Sequence, residues 1–246
     1  MPNIANLPDA DVKDGAAWWS SQGYIDGLQM QWDAVDGITV SSGSAWIPSE
    51  SKVVHSDTAI SKAGLSLTAS TWYDLFLYLN AGTPDIEIVT TAPDAPYNGT
   101  ARSKTGDASR RYVGSLRTES AGNLIRFDQA EDRIDYLMNI NTAPLHPLHY
   151  GAAEVTTAVS LADAVPVTSK RVGMYLENTS TNGAIAYISV PPLASIADVI
   201  TFVRPSGRLS STYVLDATQS FNYAFNGTPS AGFGLDAWVT GYFYTR

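Results

Sequence analysis

Hydrophobic and polar residues alternate along most of this chain in short stretches, with a period of two. Ile38-Thr39-Val40, Lys52-Val53-Val54-His55 and Leu65-Ser66-Leu67-Thr68 are β-branched or alternating runs bounded by Gly, Ser or Pro, the pattern of strands. In 72–79, Tyr73, Leu75, Leu77 and Leu79 fall on one face, and Trp72, Asp74, Phe76 and Tyr78 on the other. With both faces largely apolar, this strand is expected to be central, covered by a second sheet or by a partner chain. Ile86 and Ile88 alternate with Asp85 and Glu87, which marks a half-exposed strand, and Ile134, Tyr136, Met138 and Ile140 share one face of another run. Strand patterns resume at Val172/Met174/Leu176, 184–190, 199–203, 209–215, Phe221/Tyr223/Phe225 and 238–244.

Turn signals separate these runs. Asn98-Gly99, Asn182-Gly183 and Asn226-Gly227 are dipeptides that type I′ hairpins favour, because both central residues need positive φ. Asp36-Gly37, Ala81-Gly82, Thr105-Gly106 and Ala121-Gly122 add glycine punctuation. Helical signals are scarce; the best is a short turn from Asp9 or Asp11 through Val12, Ala16 and Ala17 toward Trp18-Trp19. Nothing alternates strand with long helix, so a parallel α/β fold is not expected. The expected class is all-β, with two antiparallel β-sandwich (jelly-roll-like) domains and a short N-terminal arm. The arm is 1–22 and the first domain 23–142. A Pro-rich linker at 143–151 carries Pro144, Pro147 and Gly151, and the second domain is 152–246.

Composition narrows the function classes. The chain has 246 residues, 44% hydrophobic and only 16% charged, so a core is affordable and the surface must lean on Ser, Thr, Asn and Gly. A net charge of −9 argues against nucleic acid as a partner. Arg102, Lys104, Arg110, Arg111 and Arg117 form a local basic cluster, expected to pair with the surplus carboxylates or a neighbouring subunit. There are no cysteines, which removes disulfides, thiolate chemistry and Cys-based zinc sites together. No stretch approaches a membrane span, and the N-terminus lacks the pattern of a signal peptide, so folding in a cytoplasm is expected.

Candidate chemistry is thin. His146-Pro147-Leu148-His149 holds two of the three histidines, on a Pro-containing loop without the i,i+4 geometry of metalloprotease helices. Linker histidines are the favoured reading, and no metal or cofactor is assigned. Asp85/Glu87 and Asp132/Asp135 are carboxylate pairs of a kind that any acidic chain offers. A Ser-His-Asp arrangement would rest on His55, His146 or His149, and no Gly-x-Ser-x-Gly elbow is present. Aromatic residues are plentiful, and their faces stack on sugars or fill interfaces. For any single aromatic the blander reading is a core or subunit-contact residue.

One ordered series carries a resemblance. It runs Trp72-Tyr73 … Gly82-Thr83-Pro84-Asp85-Ile86-Glu87 … Thr90-Thr91-Ala92-Pro93 … Pro96-Tyr97 … Thr100-Ala101-Arg102-Ser103-Lys104-Thr105-Gly106-Asp107 … Arg110-Arg111-Tyr112-Val113-Gly114-Ser115. Over roughly 30–130 this resembles virion proteins of tailed bacteriophages, a module of tail fibres, tail spikes and head spikes also found in gene transfer agents. The resemblance implies a virion-attached, usually homotrimeric β-protein and supplies no catalytic residues. The expected function is therefore a non-enzymatic fibre or spike subunit, made in the host cytoplasm, that binds a host-surface polysaccharide. On that reading the C-terminal domain receives the glycan through Tyr223, Trp238, Tyr242 and Tyr244. Trp18 and Trp19 on the arm contact other virion proteins, and Trp72, Phe76 and Tyr78 make oligomer or particle contacts. The alternatives are a capsid-decoration, adaptor or baseplate subunit, and a capsule depolymerase.

Overall fold

The structure, a computed structural model, describes residues 22–191 and 199–246. Residues 1–21 of the arm, with the helical turn expected there, Trp18 and Trp19, lie outside the described residues. Those described form twenty strands and no helix, so the chain is all-β, as its period-two patterning predicts. Contacts divide it into two units, one of 22–65 and 73–116 with Arg246, the other of 66–72 and 117–245.

The first unit begins with six short strands: β1 (Ile25–Gly27), β2 (Met30–Ala34), β3 (Gly37–Val40), β4 (Gly43–Ile47), β5 (Lys52–Ser56) and β6 (Ile60–Lys62). They make two antiparallel three-stranded sheets, β1-β4-β5 and β2-β3-β6. Longer strands follow: β7 (Trp72–Asn80), β8 (Thr83–Val89), β9 (Ser103–Lys104) and β10 (Asp107–Arg117), in the order β8-β7-β10-β9. The doubly apolar 72–79 run is indeed an inner strand, with Tyr73 through Leu77 all buried. Asn80 pairs with Thr83 across Ala81-Gly82, and both turn residues have positive φ. The type I′ requirement is thus met there. At Asn98-Gly99 and Asn182-Gly183 only the glycine has positive φ, and at Asn226-Gly227 neither residue does. The alternating run Leu65-Ser66-Leu67-Thr68 forms no strand.

The second unit holds β11 (Phe127–Ala130), β12 (Arg133–Tyr136), β13 (Leu148–Gly151), β14 (Thr157–Ser160) and β15 (Ser169–Asn178). Then come β16 (Ala186–Ser189), β17 (Thr201–Val203), β18 (Arg208–Val214), β19 (Ser220–Phe225) and β20 (Leu235–Tyr244). One sheet runs β11-β12-β20-β15-β18 with β13 also on β20, and the other runs β14-β19-β16-β17. β20 is central: β12 and β13 flank one edge and β15 the other, and residues of both its faces are buried. Gly241 is required at the β12 crossing, because a Cβ there would collide with the Ile134 carbonyl.

This topology revises the boundary read from the prolines. Ile134 pairs with Tyr242, so the strand at the end of the expected first domain lies in one sheet with the end of the chain. The 143–151 stretch is no linker, since β13 within it pairs with β20. Prolines mark a loop, but whether that loop leaves a domain depends on pairings about a hundred residues away.

Candidate functional site

The aromatic residues expected to receive a glycan are core. Tyr223, Trp238, Tyr242 and Tyr244 are all buried. Tyr242 lies against Tyr136, Tyr244 and the edge of Trp72, and the Tyr244 hydroxyl accepts from Gln129. Trp238 donates from Nε1 to Asn141, and the Tyr223 hydroxyl accepts from the Ala153 amide. Alternation assigned them to faces, but β20 is covered on both of its faces. Phe76, expected at an oligomer contact, is fully buried within its own unit, edge-on to Tyr112. Tyr78 is half-buried beneath the Arg110 guanidinium at 4.0 Å, and half-buried Trp72 donates to the Ala162 carbonyl.

The basic cluster is largely neutralised, as its surroundings predict. Lys104 and Arg110 both reach Glu87, at 3.0 and 3.2 Å, and Lys62 reaches Asp85 at 2.7 Å. Neither member of the Asp85/Glu87 pair is therefore free for acid–base work. Arg117 clasps Asp163 through carboxylate and carbonyl, at 2.9 and 2.8 Å. Arg111 differs: it is fully buried, and its guanidinium donates to the Arg102, Tyr112 and Gly23 carbonyls at 3.1–3.5 Å. Burial lowers its pKa from the ordinary guanidinium value, with the Tyr97 phenol partly opposing.

His55 does join a serine and an aspartate. Ser44 and His55 face each other across β4 and β5, with Oγ 2.6 Å from Nδ1, and Nε2 donates to Asp57 at 2.9 Å. The acid that should orient the imidazole is 91% exposed. Water competes for that bond, so the relay lacks the buried carboxylate on which triad catalysis depends.

A cleft of about 330 Å³ opens in the first unit, lined by Pro48, Asp94, Tyr97, Ser103, Lys104 and Asp107, among others. The loop between β8 and β9 places Tyr97, whose hydroxyl donates to the Trp46 carbonyl and whose surface is 37% exposed. Asp94 is exposed and caps the Ala95 amide. The Asp107 pKa is lowered mainly by the Ser109 hydroxyl, then by the Ser109 amide and nearby Arg110 and Lys104, against some burial, so its carboxylate stays charged. An amphipathic ring, two carboxylate acceptors and an ammonium donor thus share one wall.

The second unit gathers a different set. His146, His149 and Asp236 present ligand atoms that all lie within 4.8 Å of one another. His146 Nε2 and His149 Nδ1 donate to Asp236 Oδ1 at 3.0 and 2.7 Å, and the Tyr150 amide reaches the same oxygen at 3.3 Å. His146 also lines a cleft of about 370 Å³ with Ser70, Arg117, Pro144, Ser160 and Asp163 among others. The paired histidines were visible as H-x-x-H. Asp236, about ninety residues on, carried no local signal that would join it to them.

No protein-family profile matches this chain, and a search of curated proteins returns no match.

Proposed function

We propose that the protein is a non-enzymatic structural subunit of a phage or phage-like particle, a homotrimeric fibre or spike component with sandwich-type packing that binds a host-surface polysaccharide. The observation that carries the glycan part is the cleft around Tyr97. Sugars present apolar C–H faces and dense hydroxyls, which an aromatic ring and fixed carboxylates meet together. Tyr97 and Asp94 offer that combination at an exposed loop, supported by strands that hold their position. The contact residues are therefore Tyr97, Asp94 and Asp107 rather than the four buried aromatic residues of the second unit. Binding of the full chain to an array of bacterial capsule and lipopolysaccharide glycans tests this. Tyr97→Ala and Asp94→Ala should each weaken binding at least tenfold. An array without binding, or variants that bind like the parent, removes the glycan reading.

A second reading, an adaptor or capsid-decoration subunit, draws on the edge strands of the second unit among the described residues. β17 and β18 end their sheets and carry exposed Phe202 and Val214, with Ile200 just before β17. Such edges suit strand pairing or apolar contact with another subunit. Electron microscopy of labelled particles separates the two, because a distal tip fits receptor binding and an internal position fits an adaptor. Release of reducing sugar from host capsule would instead identify a depolymerase.

A further inference from the structure

We infer that His146, His149 and Asp236 form a binding site for a divalent transition-metal ion of the Zn²⁺ class, which fastens the 146–149 loop to β20. Two imidazole nitrogens and one carboxylate oxygen are the donor set that such ions prefer, and three protein ligands leave a fourth position for water. The inference is independent of the glycan reading, because neither Tyr97 nor its cleft belongs to the cluster.

Three observations converge on it. First, the backbone is specially shaped to bring the ligands together. β13 pairs with β20 at Leu148↔Ala237 and Gly151↔Leu235, so His149 and Tyr150 together stand opposite Asp236 alone. This is a bulge, two residues against one, and Tyr150 takes a φ of +50° to make it. A tyrosine in the left-handed region is strained, and such strain gathers where a side chain must be aimed. Here it turns His149 onto the carboxylate.

Second, the ligands are oriented by neighbours, as metal ligands generally are. The His146 ring stacks on Trp238 at 4.6 Å, and Trp238 is itself held by its bond to Asn141. His149 stacks on Tyr150 at 3.9 Å. Asp236 is only 2% exposed, so its charge is placed where the two rings and the Tyr150 amide can offset it.

Third, the two nitrogen–oxygen spacings are near those an ion would impose, and the two nitrogens lie within 4.8 Å of each other. Tetrahedral zinc with bonds of roughly 2.0–2.1 Å separates its ligand atoms by about 3.3 Å. The nitrogen–oxygen distances of 3.0 and 2.7 Å therefore need to open by only about half an ångström. On binding, each coordinating nitrogen gives up its hydrogen, which moves to the other ring nitrogen or is released to solvent. His149, 62% exposed in its side chain, has room to move, and leaves the fourth position reachable from solvent.

Calorimetric titration of the chelator-treated full chain with Zn²⁺ alone, supported by the visible absorption of Co²⁺, tests the site. One ion per chain is expected, with a Co²⁺ band of tetrahedral intensity. His149→Ala should weaken binding at least tenfold while its metal-free form keeps the parent's circular dichroism and a single cooperative melt at a modestly lower temperature, which separates ligand loss from misfolding. His55→Ala and Tyr97→Ala should bind Zn²⁺ like the parent. Absence of saturable binding, unchanged affinity in His149→Ala, or an equal loss in His55→Ala would overturn the inference.

Discussion

The most buried charged groups of the two units are held differently. In the second, Asp236 receives two imidazole N–H groups and an amide, and Arg117 meets a carboxylate. In the first, the Arg111 guanidinium rests on carbonyl oxygens, its Nε has no acceptor, and no carboxylate of the described residues pairs with it. Asp74 in the same unit sits in the core with its carboxylate on the Ser115 hydroxyl, which also shares a bond with Tyr112. A paired charge ties distant segments together. A charge held by neutral dipoles costs desolvation that weak hydrogen bonds only partly offset. Losing Asp236 should therefore cost more than losing Arg111.

Removing Asp236 should give the largest effect. Asp236→Ala strands three donors, one of them a backbone amide, and is expected to lower stability by about 3 kcal/mol in urea denaturation. A loss below about 0.5 kcal/mol would erase the contrast between the units.

Next comes the acid–base behaviour of Asp74. Burial, partly opposed by the Ser115 hydroxyl, pushes its carboxyl from 3.8 up to about 6. The folded state then holds its proton more tightly than the unfolded chain. Its stabilising contribution is complete below pH 3.8 and is lost as pH rises to about 6. The drop should be of order 2–3 kcal/mol, and Asp74→Asn should flatten it and raise stability at pH 8. A variant whose denaturation midpoint still falls over that pH window would assign the dependence to other groups.

Arg111→Met should move stability by no more than about 1 kcal/mol, since an apolar chain of similar reach replaces a charge without a counter-ion. A loss of several kcal/mol would mean that the three carbonyl contacts are worth more than their length suggests. The smallest change is expected for Asp163→Asn. Its carboxylate is largely exposed, and the Arg117 guanidinium keeps the Asp163 carbonyl, so denaturation should report less than about 1 kcal/mol.

Several of these features were legible in the chain. The double apolar face of 72–79 marked β7 as an inner strand, and glycine at 82 and 106 marked hairpins that exist. The expected pairing of the basic cluster holds for Lys104, Arg110 and Arg117. Other signals misled for physical reasons. Asn-Gly dipeptides allow a type I′ turn without compelling it, and Ala81-Gly82 adopts one because the β7–β8 register demands it. Tyr223, Trp238, Tyr242 and Tyr244 looked like a sugar platform because alternation shows which residues share a face, not whether that face is covered.

What the sequence determined by itself was local: an all-β chain, many of its strands, the inner position of β7, and a histidine pair on a proline loop. These follow from side-chain periodicity and backbone sterics, which act over a few residues. Only the tertiary structure decided that β12 and β13 join β20, that the aromatic residues lie inside, and that Asp236 meets the two histidines. Strand pairing is made by backbone groups that are alike in every residue. Partner and register are therefore chosen by burial summed over the whole sheet, and no short stretch carries that sum.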